Sequence, residues 1–480
     1  MYNKCFLPEH QGNPLIEALP PLVDDPEVIL KLRSQQICLE SEADAPAFIR
    51  KKYLHRLEQF VEPTYEYLEC FRMIEDLITQ SYIPKNPLTN TAQHWLFHDR
   101  PEESKQLPSQ GLFVPRSAAM AVVGDGGAGK SWMLESIVRS YPQIIEHTSY
   151  KGKPLNFRQV VWIKVNCTEN ANVKAMLILI LEELDRLTGS DEARRALSSR
   201  DPVAAASLAI SRKMKSTFLG VLIIDEMQHL QFANSKLKEL FIQFILNTLG
   251  RAGVPIVFGG DPRIETFLKS GLPVSRRVET GGFIYMRGWR GHEWDLFVEQ
   301  LWNYQWTKIK TPLTAELSNC LSGLSTGLPD FAVRIFKAAQ SLVIGTENET
   351  ISAALLRQAY NETCMLSDGK LLERKKKLDK EENHQNIDFG PSDTESNVAG
   401  VASVSSDPPK SKSKSRKIHD VNRIQHDEFE TQIHALKDRI FLPLPGVTFD
   451  VVRRSAEDKD LLGRLLENKL LLRQSVLMAG

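Results

Sequence analysis

The sequence has no excess charge of either sign: 60 Lys and Arg offset 60 Asp and Glu over 480 residues. That excludes an all-over basic coat, so any nucleic-acid surface must be local and balanced by acid elsewhere. Cysteine is scarce and scattered. Cys5, Cys38, Cys70, Cys167, Cys320 and Cys364 form no CxxC pair, which excludes a zinc knuckle or a small disulfide framework and fits the reduced thiols of a cytoplasmic protein. Long apolar runs are also missing; stretches such as residues 175–181 and 220–224 fall far short of a membrane span. The first 22 residues hold four prolines and two acids, where a signal peptide would have a basic start and an apolar core. What remains is ordinary globular usage, 42% hydrophobic and 25% charged. That excludes global disorder, and the length allows about three domains. The expectation is a soluble intracellular protein with no membrane partner.

Residues 1–110 read as an N-terminal extension: an extended, proline-punctuated arm, then helical patterning over 47–60 and 65–80. Between about 111 and 290, short β-branched runs (118–123, 160–165, 219–224, 254–258, 283–286) alternate with amphipathic ones (132–140, 173–187, 203–215, 235–250). Such alternation implies βαβ units and a mostly parallel sheet. Helical patterns at 293–306, 314–324, 330–342 and 351–362 suggest a helical lid over 291–368. Residues 369–420, rich in Ser, Lys, Asp, Asn and Pro, read as a disordered linker. The lysine-serine stretch from Lys410 to Lys417 is either a non-specific DNA contact or only solubilising. Residues 421–480 regain apolar character and read as a small module or a partner-binding tail.

One segment carries chemistry outright. Gly124, Asp125, Gly126, Gly127, Ala128, Gly129, Lys130 and Ser131 match GxxxxGK[ST], with a strand pattern before and a helix pattern after. Glycines there let successive N–H groups face phosphate oxygens, and the helix N-terminus adds partial positive charge. Lys130 is expected on the β- and γ-phosphates of ATP, Ser131 on Mg²⁺, and Trp132 beside the nucleotide. Its partner is the apolar run 221–224 ending in Asp225 and Glu226. Asp225 is expected to hold the Mg²⁺ shell and Glu226 to activate the attacking water. The pair implies hydrolysis, with further sheet and lid favouring an oligomeric ATPase.

The arrangement is similar to that of AAA+ ATPases, which implies further roles. The fourth strand of that family ends in a polar sensor; the nearest residue here is Asp261, whose charge needs Mg²⁺, a basic group or a proton beside it. An ordinary turn is the other reading. Arg276 and Arg277 fall where the family places an arginine facing the neighbouring subunit's nucleotide. Arg334, opening a lid helix after Gly327-Leu328-Pro329-Asp330, is the candidate second sensor.

Three pieces resemble one family within this class. Asn13-Pro14-Leu15-Ile16-Glu17-Ala18-Leu19-Pro20-Pro21-Leu22, Ile223-Ile224-Asp225-Glu226-Met227-Gln228-His229-Leu230, and the stretch from Glu293-Trp294 to Leu301-Trp302 look like segments of TnsC, the regulatory AAA+ ATPase of Tns-type bacterial transposons. The resemblance spans roughly residues 10–365. It implies a bacterial cytoplasmic switch that binds ATP and assembles as a ring or helical filament on duplex DNA. A target-selecting protein recruits it, at the N-terminal extension; it engages transposase subunits and is reset by hydrolysis. The DNA surface would come from the loop after the second strand, with Thr168, Asn170 and Lys174 on phosphates and Lys151 and Lys153 nearby. Competing readings are another AAA+ DNA remodeller, such as a replication initiator or helicase loader, and a DNA-independent ATPase scaffold.

Overall fold

A computed structural model describes residues 2–33, 38–97, 118–233, 235–250, 252–269, 272–387, 441–443 and 471–473. The chain divides into two units, Met1–Lys375 and Lys376–Gly480. The first is an α/β fold of the AAA+ P-loop type. Its sheet has five strands: β1 (Ala119–Gly124), β4 (Trp162–Asn166), β5 (Val221–Asp225), β6 (Ile256–Gly260) and β7 (Phe283–Met286). They stand in the order β4-β5-β6-β1-β7, and every neighbouring pair is parallel. β1, β5 and β6 are buried at every position, which is why they read as unbroken apolar runs rather than alternating ones. Register fixes the site: Val123 at the end of β1 is opposite Gly260, and Asn166 is opposite Asp225.

The crossover helices follow local rules. Val173–Thr188 starts on Asn172, whose side chain accepts the Ala175 N–H, and ends on Gly189 in the left-handed region at φ 71°. Pro202–Ser216 has Asp201 as cap and proline at its first position. The five expected strands and four expected crossover helices are all present within a few residues, with one change. Strand 160–165 breaks at Val161: Val160 closes a separate antiparallel hairpin of β2 (Ile144–Tyr150) and β3 (Lys153–Val160), and β4 begins at Trp162. The hairpin turns on Lys151 and Gly152, at φ 47° and 80°, the two-residue loop that suits strand twist.

The N-terminal region is not the extended arm expected from its prolines. Asn13 caps a short helix, Pro14–Glu17, and Asp24 caps Asp25–Leu32; Leu15, Ile16, Leu19, Val28, Ile29 and Leu32 are buried. Pro14 at the first position of one helix and Pro26 at the second of the other start these turns rather than keeping the chain extended. Helix Tyr65–Tyr82 then runs to the N-terminal edge of the sheet. There Ser81 Oγ donates to Gly220 O and Lys85 Nζ to Leu219 O, both 3.3 Å, while Asn13 Nδ2 donates to Tyr82 O at 2.8 Å. A Cβ on Gly220 would meet Val161 O at 2.4 Å, so only glycine fits where β5 enters.

Four lid helices follow β7: Gly291–Trp302, Ala315–Ser325, Pro329–Val343 and Ala353–Thr363. Arg50 joins the lid to the N-terminal region. Its Nη2 lies 2.6 Å from Glu349 Oε1 and its Nη1 2.9 Å from Trp306 O. Glu349 also accepts from Lys308 N and Gly345 N, at 2.7 and 2.8 Å. These bonds hold the carboxyl down to about 2 against its burial, the Arg50 guanidinium being the first cause.

The segment expected to open a linker at residue 369 is helical instead, from Asp368 to Ile387. Its run of Glu, Arg and Lys suits a helix with few apolar contacts. In the second unit, Phe441–Pro443 pairs antiparallel with Leu471–Arg473. The rest of the expected linker and tail, Lys410–Lys417 included, lies outside the described residues. Among the described residues no helix is long and apolar enough to cross a membrane, and all six cysteines are free.

Candidate nucleotide site

The site lies at the C-terminal ends of β1, β5 and β6. The loop Gly124–Ser131 leaves β1 and enters helix Lys130–Arg139. Gly127 and Gly129 adopt φ of 85° and 93°, a conformation that side chains resist. Gly124 has a different reason: a Cβ there would meet Met286 O of β7 at 2.4 Å.

Lys130 curls over its own loop, its Nζ donating to Gly124 O at 2.7 Å and Asp125 O at 2.9 Å. Burial lowers its pKa, while the charges of Asp225, Glu226 and Asp261 pull it back up. These three acids lie at or just past the ends of β5 and β6, the same end of the sheet from which the loop leaves β1. Asp225 is buried at the tip of β5; its Oδ1 accepts the Glu226 N–H at 2.9 Å and its Oδ2 lies 3.2 Å from Lys164 Nζ of β4. β6 passes so close that a Cβ on Gly259 would meet Asp225 Oδ1 at 2.6 Å. Glu226 sits in the left-handed region at φ 59°, a position that a non-glycine residue holds only when its surroundings over-determine it. The Gln228 side chain donates to its carboxylate.

Asp261 has the compensation its charge required. Arg263 Nε donates to Asp261 Oδ2 at 2.7 Å and Arg263 N to Asp261 Oδ1 at 3.0 Å. The bond to Asp261 also raises the pKa of that guanidinium.

The lid meets the loop directly. Asp330 N donates to Gly127 O at 3.3 Å, and a Cβ on Gly127 would meet the Phe331 ring at 3.0 Å. Arg334 is one turn further on. Its Nε and Nη2 pair with Asp330 at 3.0 and 2.8 Å, and its guanidinium lies 5.6 Å from the Phe331 ring centre. From the N-terminal region, Tyr67 Oη comes within 3.3 Å of where a Gly129 Cβ would stand. Trp132 projects to the surface after Ser131.

Arg276 and Arg277 lie on helix Leu272–Gly281, Arg276 exposed and Arg277 half-buried. The helix ends at Gly281, packed on Ala119 O at the start of β1. Among the described residues no hydrogen bond or ion pair joins either to the phosphate loop, Asp225 or Glu226.

The candidate DNA residues do not form one patch. Thr168, Asn170 and Lys174 follow the C-terminal end of β4; Asn170 and Lys174 are exposed, and Thr168 Oγ1 donates to Asn172 O at 3.1 Å. Lys151 and Lys153 belong to the hairpin, which joins the sheet at its N-terminal edge, where Val160 and Val161 bond to Thr217, Gly220 and Val221. Lys151 Nζ lies 3.4 Å from Glu17, itself just past Asn13. The unforeseen hairpin is the reason: it carries these lysines away from the loop they were expected to adjoin.

Hard oxygen donors on Ser131 and Asp225, a phosphate-facing backbone turn and a nearby lysine form a donor set that suits Mg²⁺ with a nucleoside triphosphate. Sequence reading missed Lys164, a lone charge inside a buried strand pattern, and Arg263, two residues beyond Asp261. It also missed Arg374, whose guanidinium pairs with Asp125 from a helix some 250 residues away in sequence; no local pattern marks it.

Residues 116–268 match the family described as AAA domain. No curated protein matches the chain. Among solved structures it is similar to Aeropyrum pernix ORC2 with ADPNP and ADP, at 16% identity and a TM-score of 0.35, over 52% of this chain and 63% of that one. Pyrobaculum aerophilum Cdc6p gives 13% identity and 0.37, over 60% and 71%. Drosophila ORC bound to DNA gives 11% and 0.37, over 70% of each. The chain thus spans less than two thirds of the length of the ORC2 structure it matches. The fold rests on the strand order, the phosphate loop and the AAA domain match.

Proposed function

We propose that the chain is an ATPase switch that works as an oligomer. The observation that carries this reading is the phosphate loop itself, with Gly127 and Gly129 in the left-handed region and Lys130 donating to Gly124 O and Asp125 O, at the end of the sheet where β5 finishes in Asp225 and Glu226. Lys130 leaves Gly124 O and Asp125 O to meet the β- and γ-phosphates. Mg²⁺, when bound, neutralises phosphate charge, with the Ser131 hydroxyl and Asp225 as its protein ligands. Glu226 orients the attacking water and takes its proton. Arg276 or Arg277 stabilises the charge developing on the γ-phosphate of a neighbouring subunit. Asp261, neutralised by Arg263, and Arg334, reached through the lid, register the phosphate from the same chain.

The finer reading is a regulator of transposition that assembles on duplex target DNA and links a target-selecting protein to transposase subunits. It rests on the resemblance of residues 13–22, 223–230 and 293–302 to TnsC. Thr168, Asn170 and Lys174 are the proposed DNA phosphate contacts; Lys151, held by Glu17, is a weaker candidate, and Lys153 is exposed on the same turn. With no net charge and no base-reading motif, binding would be sequence-independent and steeply salt-dependent. Electron microscopy of the protein with duplex DNA and a non-hydrolysable ATP analogue tests this reading. Rings or filaments enclosing DNA support it; particles that ignore DNA favour the DNA-independent scaffold.

A further inference from the structure

Two cations converge on one residue of the phosphate loop. Lys130 donates to the Asp125 carbonyl at 2.9 Å, and Arg374 pairs with the Asp125 carboxylate. Arg374 comes from helix Asp368–Ile387, beyond the last lid helix, and its side chain is only 14% exposed. It occupies a gap where three parts of the fold meet. One is Gly288, just after β7, where a Cβ would come within 2.6 Å of Arg374 Nη2 and 3.0 Å of Thr326 O. The second is the Thr326–Gly327 turn, from which Gly327 O accepts the Trp289 N–H at 2.8 Å. The third is the phosphate loop. That same turn leads into helix Pro329–Val343, whose first residues abut Gly127. The start of the Arg374 helix is fixed by buried Leu371, one turn earlier on the same face, and by Tyr360 Oη, which donates to Asp368 Oδ1 at 2.5 Å.

An arginine in this place answers to phosphate. Asp125 offers one carboxylate, its side chain 43% exposed; a nucleoside triphosphate offers several charges on oxygens that a planar guanidinium binds in pairs. We propose that Arg374 is a nucleotide-contacting residue. A triphosphate in the loop draws its guanidinium from Asp125 onto phosphate oxygens, and helix Asp368–Ile387 shifts its stability with that exchange. Nucleotide state thereby reaches the chain beyond the lid. This rests on the reading of the loop as a triphosphate site.

The test uses the full chain, with the ATP analogue AMPPNP as probe. Equilibrium binding is measured for wild type, Arg374→Ala, Arg374→Lys and Lys376→Ala, an exposed lysine on the same helix. Hydrogen exchange of residues 368–387 is followed with and without AMPPNP. Arg374→Ala is expected to weaken AMPPNP binding by about tenfold, Arg374→Lys by less, and Lys376→Ala by under about twofold. AMPPNP is expected to change exchange of the helix in wild type and to leave it unchanged in Arg374→Ala. Wild-type affinity in Arg374→Ala, or a wild-type helix whose exchange ignores AMPPNP, overturns the proposal. Should Arg374→Ala fold poorly, Arg374→Lys and the wild-type exchange decide. Lys130→Ala separates the two readings: if it binds AMPPNP normally, the loop reading itself fails. If it loses binding while Arg374→Ala does not, only the role of Arg374 falls.

Discussion

Lys164 Nζ lies 3.2 Å from Asp225 Oδ2 across the β4–β5 pair, so the buried carboxylate at the tip of β5 already has a cation beside it. The two side chains are 20% and 3% exposed, which makes this a half-buried pair rather than a surface one.

Replacing Lys164 by Met leaves Asp225 buried with the Glu226 N–H as its remaining donor. The nucleotide-free protein should lose about 1–3 kcal/mol of stability. Mg²⁺ and a non-hydrolysable ATP analogue should narrow that deficit, because the cation takes over the lysine's compensation. Thermal unfolding of both proteins, with and without ligand, measures the difference. An equal deficit in both conditions would show that Lys164 serves packing alone.

The Arg50–Glu349 pair locks the N-terminal region to the lid, and both side chains are buried. Glu349→Gln should cost about 3 kcal/mol, because it leaves a buried guanidinium uncompensated. The pH dependence has a definite sign. With the Glu349 carboxyl depressed from 4.5 to about 2, its contribution is fully present above about pH 4.5 and is lost as pH falls toward about 2. Denaturant midpoints across that window should drop more steeply in wild type than in Glu349→Gln. Parallel curves would remove Glu349 from the linkage.

Much of this fold can be read from the chain, and the misreadings have physical causes. β1, β5 and β6 are buried on both faces and sit among capped helices, so period, length and caps agree. The hairpin of β2 and β3 is only partly buried, with Glu146, Lys153, Pro154 and Arg158 in its strands, and its sole cue is the Lys151-Gly152 turn. Asn13 and Pro14 mark a loop by composition, yet they start a buried helix because tertiary packing decides. Lys130 and the Asp225–Glu226 pair fall at one end of the sheet because a motif fixes where a loop and a strand tip lie in a parallel sheet. Arg374 reaches Asp125 through folding that no local pattern encodes, whereas Arg263 stands only two residues from Asp261.

If Arg276 or Arg277 acts on a neighbour's nucleotide, turnover per molecule should rise with protein concentration. The double alanine variant should regain part of its activity when mixed with Lys130→Ala, since hybrid interfaces restore one intact site. Phosphate release across a dilution series checks both. Concentration-independent turnover from a protein that stays monomeric with ATP would exclude action in trans.

If the segment after residue 420 docks transposase, as the proposed role in transposition would have it, truncation there should leave hydrolysis and assembly on DNA intact while abolishing transposase capture in a pull-down. The removed segment is too short for a large core, but its apolar stretches suit a partner groove. Normal capture by the truncated chain would place the docking surface elsewhere; failure to assemble on DNA would place the tail in the oligomer.

The most direct measurement of the central claim is ATP binding and phosphate release by Glu226→Gln beside wild type. Glu226 stands next to Asp225 at the strand tip, at the end of the sheet that carries the phosphate loop, and the amide removes its proton acceptance with little change in shape. Binding should stay within about twofold while turnover falls by about a hundredfold or more. Unchanged turnover in Glu226→Gln would contradict the assignment of Glu226 as the base and the reading of this site as a hydrolytic switch.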